Sequence, residues 1–347
     1  MSQKEIKVGI IGAGGIARSR HLPNLKKIEG VEIVAVCNRT PETVAEVAAD
    51  FGIPRTYTNW RELIKQKDID AVFIATPPYL HCPATLAALE AEKHVFCQAR
   101  MAMNYQEAKR MYDASQKTDL KTMLCPVPVG LHGGEMMRKL IDSGYLGQVY
   151  NIQMTGFSSQ YADASLPLHW RQMPEMSGLN ALTLGMWAEV LHRWFGYARR
   201  VTAQAKVHIP QRRLPDSDDW AKVEIPDTVG IVAEMMNGAL TMMHFSGVTR
   251  FASHNRCEIY GSDGTIVYNL NTDEIYGAQV GETELNPIPI PEELRREWTV
   301  EADFISAIRD NTPVSPSFFA GLKYMEFTEA VMRSVHEGRV VELPFNG

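Results

Sequence analysis

The segment Gly12-Ala13-Gly14-Gly15-Ile16-Ala17 spaces its small residues for holding a phosphate group. In a G-x-G-x-x-A pattern the first glycine makes a tight turn. The second lets the backbone approach a pyrophosphate, and the small third residue lets a helix pack against the preceding strand. An apolar run over 7–12 ends on the first glycine, and a helical pattern begins near 15. Free N–H groups at that helix start would face the phosphates. Gly12, Gly14, Gly15 and Ile16 are therefore read as contacts of a bound dinucleotide. The residues after the next apolar run choose the cofactor. An NAD site places a carboxylate there, on the ribose 2′-OH. This chain has Asn38-Arg39-Thr40 instead. A planar guanidinium suits a 2′-phosphate, so Asn38 and Arg39 favour NADP(H) over NAD(H). NAD(H) stays open if Arg39 is only a solvated surface charge.

The elements that must position these residues alternate in period. Short apolar runs at 7–12, 31–37, 70–76, 94–97 and 121–125 are separated by helical patterns at 15–29, 41–51, 59–67, 81–91 and 104–117. Strands apolar on both faces, with helices between them, predict a doubly wound parallel sheet, a Rossmann domain, over 1–126. The pattern then changes. Pro126-Val127-Pro128 reads as a linker, followed by a helix at 134–143. Strand-like segments follow at 148–157, 201–208, 228–236, 239–248, 255–261 and 264–269, the last two joined by a tight turn at Gly261-Ser262-Asp263-Gly264. Helices are expected at 178–196, 297–310 and 319–337, and a surface loop at 209–226. This predicts an α+β domain over 127–347 with a large open, mainly antiparallel sheet, serving substrate binding and oligomerisation.

Composition narrows the partners. The chain has 347 residues, 45% apolar and 22% charged, which excludes a disordered chain and leaves room for about two domains. A net charge of −6, with no basic cluster denser than Gln211-Arg212-Arg213, argues against nucleic acid and anionic membranes. No apolar run is long enough to span a bilayer, and the N-terminus lacks the apolar core of a signal peptide; a cytoplasmic location is expected. Cys37, Cys82, Cys97, Cys125 and Cys257 show no C-x-x-C spacing and are read as buried thiols. The methionine pairs are read as packing residues, and His244 and His254 as interior hydrogen-bonding groups. No group of residues has metal-ligand spacing, so no metal is expected.

Longer stretches carry a resemblance. These are 75–81 (Ala-Thr-Pro-Pro-Tyr-Leu-His), 88–97, 141–149, His169-Trp170-Arg171, 258–265 and the closing segment 304–343. Together with the glycine loop they make the chain resemble the Gfo/Idh/MocA oxidoreductase family, which includes glucose–fructose oxidoreductase and inositol dehydrogenase. The resemblance covers nearly the whole chain. It implies nicotinamide redox chemistry on sugars or cyclitols and a homodimer or homotetramer built on the open sheet. It places Thr76, Pro77, Pro78, His81 and Gln98 against the cofactor.

The family's catalytic positions are replaced. Where it usually reads Glu-Lys-Pro, this chain reads Gln98-Ala99-Arg100. Where it places an Asp and a His four residues apart, this chain has Thr183 and Trp187. Oxidising an alcohol needs a base for the hydroxyl proton. Arg100 cannot be that base, because its guanidinium stays protonated, but it can hold a carboxylate or an oxyanion. Thr183 can hydrogen-bond, and Trp187 offers a flat face to a sugar ring. Thr183, Trp187, Val190 and Trp194 share one helix face; Glu189 and His192 point elsewhere, toward solvent or the other domain. The candidates for catalysis are Arg100, His169 and Tyr79. Those for substrate binding are Trp170, Arg171, Thr183, Trp187 and Tyr161, with His132 also open. Three functions follow: an NAD(P)-dependent oxidoreductase of a secondary hydroxyl or ketone with a relocated proton-handling group, a cofactor-dependent glycosidase, lyase or isomerase without net redox, or a non-catalytic ligand sensor.

Overall fold

Strand β1 (Ile6–Ile11) is buried at nearly every position because a parallel sheet is covered on both faces. The computed structural model describes residues 5–126, 131–252 and 255–345. Beside β1 lie β2 (Val31–Cys37), β3 (Arg55–Tyr57), β4 (Ala71–Ile74), β5 (His94–Cys97) and β6 (Thr122–Leu124). Their order is β3-β2-β1-β4-β5-β6, all parallel. The order reverses beside β1, so the ends of β1, β2 and β4 border the crevice where ligands of such sheets gather. The short β3 was absent from the sequence reading. The helix expected over 15–29 is instead a π-turn, Ala17–His21, followed by Leu22–Leu25 with Pro23 near its start.

Two compact units divide the chain, and the first takes in residues 299–325 besides those up to 126. This corrects the expectation that everything after 126 belongs to the second domain. Phe304, on the helix Val300–Asp310, meets the stacked rings of Phe73 and Phe96 edge-on, at 5.4 and 5.7 Å. Glu301 Oε1 lies 2.5 Å from His21 Nδ1, both fully buried. Tyr324 Oη accepts from the Met101 N–H.

The second unit holds a nine-stranded sheet. Its strands are β7 (Val149–Phe157), β8 (Ala198–Lys206), β11 (Thr228–Met235), β12 (Leu240–Ser246), β13 (Arg256–Gly261), β14 (Gly264–Asn269), β15 (Glu274–Gln279), β16 (Asn286–Ile288) and β17 (Val341–Glu342). The order is β16-β15-β14-β13-β7-β12-β11-β8-β17. Every pairing is antiparallel except β12 on β7, which is parallel, with Ser246 opposite Phe157. The ends of these two strands therefore lie side by side. The expected loop at 209–226 contains a small hairpin, β9 (Gln211–Arg213) with β10 (Trp220–Lys222), whose central Arg212 is buried. His244 is exposed on the sheet rather than interior, and His254 and most of the expected linker lie outside the described residues. Of the pairs Met235-Met236 and Met242-Met243, the second and first members respectively are exposed, because strand side chains alternate faces. All five cysteines are buried and free. No helix among the described residues is long and apolar enough to cross a membrane.

The His21–Glu301 contact ties 299–325 to the first unit. Removing one partner of a buried pair typically costs about 3–5 kcal/mol. Glu301→Ala is therefore expected to lower unfolding stability by roughly 3 kcal/mol or more in urea titration; a loss below about 1 kcal/mol would mean that Phe304 and its apolar neighbours hold the segment alone.

Candidate functional site

The cofactor half is built at strand ends of the first unit. Gly12 has φ +88°, and a Cβ there would sit 2.6 Å from Thr76 Cγ2 and 2.8 Å from Thr76 N. Only glycine makes this turn against the end of β4. Side chains at Gly14 and Gly15 would meet nothing within 4 Å, so the loop presents bare backbone. Ala17, the small third residue, is fully buried against the strand. Ala13 N donates to Asn38 Oδ1 at 2.7 Å, and Asn38 Nδ2 donates to Thr43 O at 3.2 Å. Asn38 thus braces the loop. Arg39 beside it is exposed, and Thr40 caps the helix Pro41–Phe51. Thr76 Oγ1 is buried without a partner among the described residues. Bare glycine backbone, an exposed guanidinium and an unsatisfied hydroxyl fit a dinucleotide.

Two predicted cofactor contacts, His81 and Gln98, meet protein groups. His81 is fully buried; Nε2 lies 2.7 Å from Thr76 O, and Nδ1 lies 2.9 Å from Arg100 O. Burial pulls its pKa down, with the Arg100 charge adding to that. The neutral ring has one proton for these two carbonyls, and it joins the ends of β4 and β5. Gln98 turns inward, its Oε1 2.9 Å from His21 Nε2. Neither reading from the family pattern could see these partners. Pro77 starts the turn Pro78–Leu80, in which Pro78 is buried and Tyr79 half-buried. Ile16 is half-buried at the loop. The Ala99–Arg100 peptide is cis, and Arg100 is 6% exposed.

The substrate candidates collect where β7 and β12 end. A Cβ on Gly156 would lie 2.6 Å from Phe245 Cδ1 and 3.2 Å from Thr183 Oγ1. One on Gly247 would lie 2.5 Å from Tyr161 Cδ2 and 3.1 Å from Leu182 Cδ2. Two glycines missed in the sequence thus let Thr183 and Tyr161 close on the strand ends. Thr183 precedes the helix Leu184–Phe195, whose Trp187 is 8% exposed. The rings of Tyr161 and His169 are 6.3 Å apart, and Arg171 lies over Trp170 at 4.3 Å. Glycines at two adjacent strand ends were the signal that could have found this cluster.

Other candidates meet partners within the second unit. Glu189 is buried and paired with Arg193, so of its two expected surroundings, solvent or the other domain, solvent is excluded; burial pushes its carboxyl up. His192 is half-buried, edge-on to Tyr197 and Phe327. His132 lies with Nδ1 2.7 Å from Arg296 O, and its N–H donates to Asp273. Among the described residues no group of three His, Cys, Asp or Glu side chains could hold a metal.

The tautomer of His169 follows from its neighbour. Its Nδ1 accepts the Arg171 N–H at 3.1 Å. A backbone N–H can only donate, so Nδ1 is bare and the proton sits on Nε2. The exposed ring therefore offers a donor, and it would have to give up this bond before acting as a base at Nε2. Burial lowers its pKa, with the Arg171 charge contributing. The unfolded state then binds the proton more readily, so the contribution of His169 to stability is present above its ordinary pKa and is lost as pH falls through the folded value. NMR titration is expected to show the Nε2–H tautomer and a midpoint below the usual histidine range; an Nδ1–H tautomer would contradict the assignment.

Comparison with known proteins agrees with this architecture. A family model described as an oxidoreductase family with an NAD-binding Rossmann fold matches residues 6–124, and the Gfo/Idh/MocA C-terminal domain matches 135–267. Levoglucosan dehydrogenase of Pseudarthrobacter phenanthrenivorans is 27% identical over 98% of this chain and 99% of its own. Myo-inositol 2-dehydrogenase of Thermotoga maritima is 23% identical over 97% of this chain and 98% of its own. A solved levoglucosan dehydrogenase in complex with NADH and L-sorbose superposes with a TM-score of 0.86, at 25% identity, over 98% of this chain and 99% of that one. With both domain matches falling in turn on the parallel and the mixed sheet, the chain belongs to the Gfo/Idh/MocA family of NAD(P)-dependent oxidoreductases.

Proposed function

We propose that the protein transfers hydride between a nicotinamide cofactor and a secondary hydroxyl or ketone of a sugar, sugar acid, cyclitol or glycoside. The first unit serves the cofactor and the second the substrate. The observation that carries this reading is the cluster of Tyr161, His169 and Thr183 around two glycine-ended strands, with Trp187 one helical turn beyond Thr183. The carbohydrate-acting relatives support the substrate class.

When bound, the nicotinamide supplies the hydride acceptor or donor. The bare backbone of 12–16 would hold the dinucleotide's pyrophosphate, and the Thr76 hydroxyl would supply a further hydrogen bond. Arg39, exposed at the end of β2, reads a 2′-phosphate and favours NADP(H). Trp187 carries the C–H face of a ring. His169 donates Nε2–H to a substrate oxygen, and Tyr161 and Thr183 add hydroxyl contacts. Trp170 and Arg171 form a stacked rim. Arg100 at the end of β5 steadies negative charge on the reacting oxygen, with Tyr79 beside the cofactor half. No ionisable side chain stands at Ala99, Thr183 or Trp187, so the proton passes through a different group from the family's lysine and histidine. Exposed Val232, Leu240 and Met242 on one sheet face support self-association.

Fluorescence titration is expected to show tighter binding of NADPH than NADH. Arg39→Asp is expected to reverse the order by about 10-fold or more; tighter NADH binding to the unaltered protein would sink the NADP(H) assignment. On a panel of sugars, cyclitols and glycosides, at least one compound is expected to reduce the cofactor. Trp187→Ala is expected to raise KM for it about 10-fold, the equivalent of roughly 1.4 kcal/mol of ring contact. Product without net cofactor reduction would favour the non-redox reading.

A further inference from the structure

The one basic spot that charge counting dismissed contains an inward-facing cation. Arg212 is 1% exposed and among the largest fully buried side chains of the described residues. Its Nη1 donates to Asp163 O at 2.7 Å and Leu166 O at 3.1 Å, and its Nη2 donates to Tyr161 O at 2.5 Å. On the same strand, Arg213 O accepts the Leu168 N–H at 2.7 Å. One short strand thus makes four hydrogen bonds with residues 161–168, three donated and one accepted, and that segment has no helix or strand of its own. That segment begins at Tyr161 and leads directly into His169.

Asp227 closes the arrangement. It is 1% exposed, and its Oδ2 accepts the N–H groups of His208 and Ile209 at 2.8 and 3.2 Å, just before β9. Its carbonyl accepts the Gly247 N–H at 2.8 Å, and Gly247 O accepts the Tyr161 N–H at 2.8 Å. Among the described residues, Arg212 Nε and Asp227 Oδ1 are both buried without hydrogen-bond partners. Apolar residues of similar volume often stabilise a buried position as well as buried charged groups do. What an apolar residue cannot do is hold three carbonyls of one loop in fixed directions, which a planar fork does.

We propose that Arg212 is a positioning residue that fixes the loop carrying Tyr161 and His169 and so sets affinity for the sugar. This rests on the reading that those two side chains meet substrate. Hydrogen exchange of Arg212→Met is expected to show about 10-fold or greater loss of protection at the amides of Tyr161 and Leu168, with β11 and the first unit unchanged. On the panel sugar turned over fastest, KM is expected to rise about 10-fold while kcat stays within about 3-fold, and cofactor affinity is expected to hold. Arg212→Lys should recover part of both effects, and Arg213→Ala neither. Should Arg212→Met fail to fold, Arg212→Met with Asp227→Asn removes both charges and carries the same measurements. Unchanged exchange at Tyr161 and Leu168 would overturn the proposal, as would a loosened loop with unaltered KM. If the unaltered protein turns over no sugar, the substrate reading fails, while the exchange data still decide whether Arg212 fixes the loop.

Discussion

The parallel pairing of β12 on β7 is the constraint on which the substrate half depends. In a sheet otherwise antiparallel, it brings two strand ends to the same place, Phe157 opposite Ser246. The chain leaves both ends in the same direction, so 158–169 and 247–250 emerge as neighbours. Gly156 and Gly247 then remove the side chains that would keep Thr183 and Tyr161 away. The first unit uses the same device. Gly12 turns against Thr76 at the end of β4, and the bare backbone beyond it is what a pyrophosphate needs.

Around each half lies a layer of buried polar groups that touch backbone. His81 joins Thr76 to Arg100, and Gln98 meets His21, which meets Glu301. Asn38 holds the glycine loop to β2, and Arg212 holds the loop ahead of His169. These groups take the strand ends out of free motion, so that the exposed side chains between them are preorganised. Preorganisation of this kind lets binding geometry and hydrogen-bond donors contribute to rate. His169 illustrates the point: the bond from Arg171 N–H fixes which nitrogen carries its proton.

What could be read from the chain was what depends on near neighbours. The glycine loop, the apolar strands of the parallel sheet and the hairpin at 261–264 each declare themselves within a few residues. What could not be read depends on distant partners. Residues 209–226, Arg212 among them, read as a surface loop because the carbonyls that receive Arg212 lie about fifty residues earlier. Residues 299–325 were assigned to the wrong unit because Phe304 and Glu301 find their partners near the other end of the chain. For Glu189 solvent and the other domain stayed open, because helix geometry gives a direction and not what stands there.

The central claim is hydride transfer to or from a carbohydrate carbon without the family's usual acid and base. Cofactor carrying deuterium at C4 of the reduced nicotinamide tests it most directly, incubated with ketone forms of sugars, cyclitols and glycosides and followed by mass spectrometry of the products. The account expects one deuterium at a secondary carbon of the product and equimolar loss from the cofactor. Cofactor that binds but keeps its label against every candidate, or a product formed without label, would contradict it.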